Sequence, residues 1–270
     1  MTTNRRFSIV PRAVAGDSAL QALTELQTKA APDPSAPASG VPTLSAVLSK
    51  LGTLPAQALF LGVASDGLPV LLNLHDPHPG PMLITGDAGS GKTTFLKTVA
   101  QAAIQSHGSD DVQFGVVTNY PDEWGSLEAT SHQAGIFPVG HAGTTQFIRS
   151  LAGWAHSNND TNQFILLLVD DLESVASLDP ESVRDFRWLL LRGPARRVWP
   201  IVTLNAPRHG QVIAWLQNFR TRIFGRIGNP RVAEALGGDR LSALDQLEAG
   251  IQFSLRERDL WLRFWLPALS

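Results

Sequence analysis

Residues 86–93 read GDAGSGKT, a glycine-rich stretch that ends in an amine and a hydroxyl side chain. It matches the pattern G-x-x-x-x-G-K-[ST], in which backbone N–H groups of a loop surround phosphate groups. Its glycines permit positive φ angles, so that several N–H groups can turn toward one anion. An apolar strand precedes the stretch and an amphipathic helical pattern follows it, which is the context the pattern requires. The stretch therefore predicts a site for a nucleoside triphosphate.

The side chains of this loop have distinct expected roles. We expect Lys92 to reach the β and γ phosphates and Thr93 to place its hydroxyl on a magnesium ion. The helix that starts near Lys92 directs its positive end at the phosphates. The alternative is a glycine-rich turn that holds no ligand. The residues predicted to bind ATP and Mg²⁺ here are Gly86, Asp87, Ala88, Gly89, Ser90, Gly91, Lys92, Thr93 and Thr94.

A second acidic site follows the apolar run FILLLV of residues 164–169. Asp170 is the predicted magnesium ligand at the end of this strand, and Asp171 is the candidate base that polarises the attacking water. Aspartate is short for that task, and a misplacement of about 1 Å can cost on the order of a hundredfold in rate. Glu173 is a second candidate base, but it needs a tight turn to face the nucleotide. Paired aspartates after a strand also cap helices, which is the alternative interpretation.

Polar residues near two later strands could sense the γ-phosphate. Asn205 ends the run VWPIVTLN at the edge where open α/β sheets bind ligands, and capping the next turn is its alternative. Arg222 and Arg226 are i and i+4 on a predicted strand and would share one face. In a ring of subunits either arginine is a candidate for the neighbour's triphosphate. A basic edge strand is the alternative for this pair.

Alternating apolar strands and helices must position these residues. Residues 59–74 predict a β-hairpin around Ser65-Asp66-Gly67. Strands are predicted at 82–85, 112–118, 164–169, 198–204, 222–227, 251–255 and 260–265. Helices are predicted at 92–106, 122–131, 144–156, 180–192, 209–218 and 230–236. Continuous apolar strands between helices favour a mostly parallel sheet covered on both faces, an α/β architecture.

The chain divides into an appendage and one domain. Residues 28–43 are rich in Ala, Pro and Ser and predict a flexible linker, flanked by short helices near 17–29 and 43–51. We therefore expect residues 1–42 to be a flexible N-terminal appendage, able to recruit a partner protein, and residues 43–270 to form the ATPase domain. The chain has 270 residues and 43% hydrophobic content, which is enough to form one sizeable hydrophobic core.

Composition excludes several classes of protein. The chain has no cysteine, so disulfides and thiolate metal sites are excluded, which fits a cytoplasmic protein. No run approaches 18 apolar residues, so we expect no membrane insertion. The net charge is −2, but residues 184–231 contain ten arginines and one aspartate, a local charge of +9. If these arginines are exposed, they predict a basic surface; arginines that merely solvate amphipathic helices are the alternative.

The motifs and their order resemble the motor domain of the FtsK/HerA superfamily of ring ATPases, over roughly residues 58–270. The resemblance rests on the hairpin, LITGDAGSGKTTFLKT, FILLLVDDLES, WPIVTLNAPR and FRTRIFGRIGNPRVAEALGG. It implies a RecA-like three-layer αβα fold, a homohexameric ring and ATP-driven movement of a polymer, usually double-stranded DNA. Lys92, Thr93 and Asp170 match the family's nucleotide and magnesium residues. Asp171 stands where the family usually has glutamate and Asn205 where it commonly has glutamine, which predicts intact binding and a low rate of hydrolysis.

Three functions follow as hypotheses. The first is an ATP-hydrolysing ring motor that acts on DNA, favoured by the arginine-rich segment. The second is a secretion-type ATPase that acts on a polypeptide, for which Trp261 and Trp265 are candidate contacts. Burial of both tryptophans in a strand is their alternative. The third is an assembly scaffold that binds ATP and turns it over slowly, favoured by Asp171.

Overall fold

The computed structural model describes residues 40–158, 161–239, 242–257 and 260–269, and a ten-stranded sheet forms its centre. The strands are β1 (Ala58–Ala64), β2 (Pro69–Asn73), β3 (Met82–Gly86), β4 (Val112–Thr118), β5 (Gln133–Pro138), β6 (Phe164–Val169), β7 (Val198–Asn205), β8 (Thr221–Phe224), β9 (Gln252–Glu257) and β10 (Leu260–Trp265). Their order in the sheet is β2-β1-β10-β9-β8-β3-β7-β6-β4-β5. Strands from β8 to β5 are parallel, and β9, β10, β1 and β2 continue the sheet antiparallel.

Helices cover both faces of this sheet. The α-helices are α1 (Leu44–Leu51), α2 (Lys92–Ser106), α3 (Ala142–Ser157), α4 (Leu172–Ala176), α5 (Pro180–Arg192), α6 (Ile213–Leu216) and α7 (Pro230–Ala235). Short 3-10 helices span Pro121–Leu127, Pro194–Arg196, Ala206–Val212 and Leu244–Gln246. Alternate residues of β3 enter two apolar clusters: Met82 and Ile84 pack with α2, whereas Leu83 packs with α3 and α5. The architecture is therefore three-layered αβα.

The strongly apolar elements lie where the sequence predicts them. Strands 112–118 and 164–169 and helices 92–106 and 180–192 have the predicted bounds, and the 59–74 hairpin is present as β1 and β2. Every residue of β1, β3 and β6 is buried, which explains their unbroken apolar runs.

Other predicted bounds are wrong. The helix predicted at 122–131 is the 3-10 helix Pro121–Leu127, and the edge strand β5 that follows it was not predicted because its residues are mostly half-buried and only weakly apolar. The helix predicted at 209–218 is a 3-10 helix followed by the four-residue α6. The strand predicted at 222–227 ends at Phe224, since the chain then leaves the sheet to contact residue 87.

The start of the described chain is tied to its end. Thr43 forms a parallel bridge with Ala268, whose N–H donates to the carbonyl of Pro42. The helix predicted near residues 17–29 and most of the predicted appendage lie outside the described residues, so the division at residue 42 stays a prediction. No helix in the described ranges is both long and apolar enough to cross a membrane.

Candidate nucleotide site

The glycine-rich loop joins β3 to α2 and leaves the start of that helix uncapped. Gly89 and Gly91 have φ angles of 74° and 92°, which non-glycine residues rarely adopt. Gly91 occupies the N-cap of α2, and as a glycine it has no side chain that could cap the first turn. The first N–H groups of a helix have no partner within the helix, so they are available to an anion held by the loop.

The loop is packed tightly against its surroundings. A Cβ atom at Gly86 would lie 2.3 Å from Ser90 Oγ, and one at Gly91 would lie 2.7 Å from Gly250 Cα. Asp87 anchors the loop to the segment that follows β8: its N–H donates to the Arg226 carbonyl (2.9 Å), and its Oδ2 accepts from the Gly228 N–H (2.7 Å). The loop is therefore held in place by contacts on both sides.

Lys92 extends back over this loop. Its Nζ donates to the carbonyls of Gly86 (3.1 Å) and Asp87 (2.8 Å). Burial lowers the pKa of Lys92, and the carboxylates of Asp171, Asp170, Asp87 and Glu173 oppose that shift. The ammonium is thus half-buried among four acids, and phosphate oxygens entering the loop would compete with two carbonyls for its protons.

Thr93 and Asp170, separated by 77 positions in the chain, meet beside the loop. Thr93 Oγ1 donates to Asp170 Oδ2 at 2.9 Å, and the carboxylate is buried at 7% exposure. Burial raises the pKa of Asp170, whereas the hydroxyls of Thr203 and Thr93 lower it. A hydroxyl and a carboxylate are the hard oxygen ligands that Mg²⁺ prefers. In the described ranges no three His, Cys, Asp or Glu side chains form a metal cluster.

Thr203 is a site residue that the sequence analysis missed. Its Oγ1 donates to Asp170 Oδ1 (2.9 Å) and accepts from the Asp171 N–H (2.8 Å). Val169 pairs with Val202 in the β6–β7 register, so the next positions bring Asp170 beside Thr203. The available signal was one hydroxyl within the part of β7 that is otherwise apolar and buried, residues 198–204.

Asp171 makes the tight turn that Glu173 requires. Asp171 has φ 87° and ψ 100°, a strained conformation for a residue with a Cβ. The turn starts α4 and buries the Glu173 carboxylate, whose two oxygens have no hydrogen-bond partner within the described residues. Arg208 Nη1 approaches Glu173 Oε1 at 3.9 Å. Burial raises the pKa of Glu173.

Of the residues predicted to contact the γ-phosphate, Asn205 lies beside the glycine-rich loop, whereas Arg222 is bonded to backbone carbonyls. Asn205 pairs with Gly86 in the β3–β7 register, and its Oδ1 is buried without a partner in the described part of the chain. Arg222 instead donates to the carbonyls of Leu236 (2.6 Å) and Leu216 (2.9 Å). The structure therefore gives Arg222 an internal bracing role, since its guanidinium is engaged with the backbone.

Arg226 lies beyond the end of β8 and is exposed. Its Nε donates to the Asp245 carbonyl at 3.2 Å, and its own carbonyl accepts from the Asp87 N–H. The expectation that Arg222 and Arg226 share one strand face is wrong, because β8 ends at Phe224. Arg226 remains the arginine candidate, and it borders the chain's own phosphate loop.

Comparison with known proteins identifies the fold. No family model matches the chain, and no curated protein matches it. The cytoplasmic domain of the type VII secretion ATPase EccC of Thermomonospora curvata aligns with a TM-score of 0.68 and 17% identity, covering 97% of this chain and 32% of that one. EccC ATPases 2 and 3 in complex with a signal sequence peptide align with a TM-score of 0.66 and 16% identity, covering 96% and 50%. The pCW3 conjugation coupling protein TcpA, solved with ATPγS, aligns with a TM-score of 0.63 and 13% identity, covering 93% and 82%.

The chain has the fold of FtsK/HerA-like P-loop ATPase domains. This confirms the predicted RecA-like three-layer αβα class and confirms the resemblance at the level of the fold. The chain spans between a third and a half of the EccC chains it matches, so their activities and partners apply to whole proteins larger than this one.

Thr203→Val tests the missed contact. Valine keeps the shape but removes the hydroxyl, leaving Asp170 Oδ1 and the Asp171 N–H without this partner. We expect the free energy of unfolding to fall by about 1–3 kcal/mol, measured by urea denaturation. Thr203→Ser, which restores the hydroxyl, should recover most of the loss; equal losses in both variants would contradict the hydrogen-bonding role.

Proposed function

We propose that this protein binds and hydrolyses ATP with Mg²⁺ and uses the cycle to move a polymer. The observation that supports this most directly is the Thr93–Asp170 hydrogen bond, which joins the phosphate loop to the acidic strand. The uncapped start of α2 adds free N–H donors at the same place. Fold similarity to secretion and conjugation ATPases agrees with this function.

In the proposed complex the loop N–H groups and Lys92 bind the phosphates. Lys92 exchanges its two carbonyl partners for phosphate oxygens, so nucleotide binding reorganises the loop lysine. Thr93 and Asp170 would hold Mg²⁺, which neutralises charge that develops on the β and γ oxygens. Thr203 keeps the Asp170 carboxylate in place.

Glu173 is the base that we assign to the attacking water. A base near the γ-phosphate must be free to accept a proton, and both Glu173 oxygens lack hydrogen-bond partners in the described residues. The raised pKa of Glu173 increases its proton affinity. Asp171 then serves to make the turn, and Asn205 is the sensor that contacts the γ-phosphate and the water.

The cargo that we favour is double-stranded DNA, carried by a homohexameric ring with Arg226 near the nucleotide. Eight of the ten arginines between 184 and 231 are exposed, which supports phosphate binding. They do not form a single face, however. Arg192 and Arg220 precede β7 and β8, whereas Arg208 and Arg226 follow these parallel strands at the nucleotide edge. The edge away from the nucleotide is the better candidate for DNA.

A polypeptide cargo is the second candidate, favoured by the structural similarity to EccC bound to a signal sequence peptide. The two tryptophans considered for that role have partners within the chain. Trp261 Nε1 donates to Asp239 Oδ2 (3.1 Å), and Trp265 packs on the apolar cluster that α1 forms with β1 and β2. An ATP-dependent scaffold with slow turnover is the third candidate. A cytoplasmic location and recruitment of a partner through residues 1–42 complete the proposal.

Lys92→Ala tests the nucleotide site. Loss of the ammonium should lower kcat/KM for ATP by about 10²–10³-fold, measured as steady-state phosphate release with Mg²⁺. Lys97→Ala is the matched control, because Lys97 lies on the same helix and contacts Trp124 and Glu123 instead. Wild-type hydrolysis in the Lys92 variant would refute the site.

Glu173→Gln tests the base and the stability of the site together. We expect kcat to fall by about 10²–10⁴-fold with ATP binding retained, while the kcat of Asp171→Asn falls less.

The same variant has an expected effect on stability. The pKa of Glu173 is raised in the fold, so its ionisation opposes folding once the pH exceeds its unfolded value of about 4. The glutamine variant should therefore unfold at higher temperature than wild type at pH 7, by about 2–4 °C per kcal/mol relieved, and lose this advantage below about pH 4. A larger kcat loss in Asp171→Asn would assign the base to Asp171.

ATPase assays with double-stranded DNA test the cargo. We expect stimulation that weakens steeply with salt, and a double Arg192→Ala, Arg220→Ala variant should reduce the salt slope of binding by about 1 per arginine. Arg149→Ala is the control, since Arg149 pairs with Glu181 on the surface. Turnover that DNA leaves unchanged would favour the polypeptide candidate.

A further inference from the structure

Glu173 and Arg208 face each other across two neighbouring segments at the nucleotide edge. Glu173 lies on α4, after β6, and Arg208 lies on the 3-10 helix Ala206–Val212, after β7; these two helices pack together. The guanidinium Nη1 and the carboxylate Oε1 are 3.9 Å apart. The side chain of Glu173 is 9% exposed, whereas that of Arg208 is 56% exposed. A buried carboxylate therefore has a cation at the surface beside it.

Three charged groups act on the Glu173 carboxylate. Burial raises its pKa and Asp171 adds to the rise, whereas the backbone N–H of Glu173 and then the cations Arg208 and Lys92 oppose it. Lys92 donates to two loop carbonyls and, in the proposed function, to the phosphates. Arg208 is then the cation that remains beside the Glu173 carboxylate and stabilises its charged form throughout the ATPase cycle.

We propose that Arg208 is a positioning residue that keeps the Glu173 carboxylate charged and fixed in orientation beside the nucleotide. This inference rests on the proposed ATP hydrolysis with Glu173 as its base. The observed separation of 3.9 Å is an ion pair without a hydrogen bond, and a shift of about 1 Å would produce a charge-assisted hydrogen bond.

The position of Arg208 couples two parts of the site. Asn205, the proposed γ-phosphate sensor, ends β7 three residues before Arg208, and its buried Oδ1 has no partner in the described residues. A γ-phosphate contact at Asn205 would therefore move the same short segment that carries the guanidinium. Arg208 connects occupancy of the γ-phosphate site to the state of the base.

The pH dependence of kcat for ATP tests this role. Removal of the guanidinium by Arg208→Ala should move the acid limb of the kcat profile to higher pH, because the Glu173 carboxylate then protonates more readily. We expect a displacement of several tenths of a pH unit and a two- to fivefold lower kcat near that limb, about the size of a partly exposed ion pair. The KM for ATP should stay at the wild-type value. Arg208→Lys, which restores the charge, should return the limb toward wild type.

Matched variants separate this inference from its alternatives. Arg149→Ala removes an arginine from a surface Arg–Glu pair and should leave the profile unchanged. Adding Arg208→Ala to Glu173→Gln should have no further effect on the residual rate, since the guanidinium acts through that carboxylate. Arg208→Gln replaces the alanine variant if the latter does not fold.

Each outcome decides the inference. Three results would overturn the positioning role of Arg208: an acid limb that does not move, a change mainly in KM, or effects that add to those of Glu173→Gln. In each case, ATP hydrolysis by the wild-type protein would still support the proposed function. Absence of hydrolysis in the wild-type protein would instead reject the proposed function, and the inference with it.

Discussion

The Asp170 carboxylate holds together the sheet edge at the carboxyl ends of the parallel strands. It is buried, and it accepts hydrogen bonds from Thr93 at the start of α2 and from Thr203 on β7. These two bonds connect the start of α2, the end of β6 and β7 at the edge where parallel sheets bind ligands. A buried carboxylate with no such donors would be strongly destabilising, so the two threonines make this position tolerable.

The strain beside this carboxylate serves the site. Asp171 adopts a positive φ angle, and Thr203 accepts its N–H, so one hydroxyl stabilises both the acid and the turn that follows. The turn places Glu173 in a buried position without hydrogen-bond partners in the described residues. Backbone strain and the burial of a carboxylate whose nearest cation is 3.9 Å away each oppose folding, and the extensive apolar packing of the sheet offsets both. The strained backbone and the buried carboxylate both lie within four residues of Asp170, which favours a functional reason for these two features.

Prediction from sequence succeeded where local pattern and burial agree. Strands β4 and β6 are buried apolar runs, and α2 and α5 have clear periodicity or flanking motifs, so their bounds follow from the sequence. The pairing of Thr93 with Asp170 follows from the motif order. Thr203 and the bracing role of Arg222 depend on contacts between distant segments, and no local pattern encodes them. The end of β8 at Phe224 likewise results from the contact between residue 226 and the phosphate loop.

The departure at Asp171 has a different meaning in the folded chain than in the sequence. From the sequence, aspartate in place of glutamate predicts a short base and slow turnover. In the structure the same residue bends the backbone and brings a glutamate two positions later into the buried edge. In the proposed mechanism the base is the Glu173 carboxylate, and its position depends on the backbone turn at Asp171 and on the guanidinium of Arg208. The rate of turnover then need not depend on the length of the side chain at position 171.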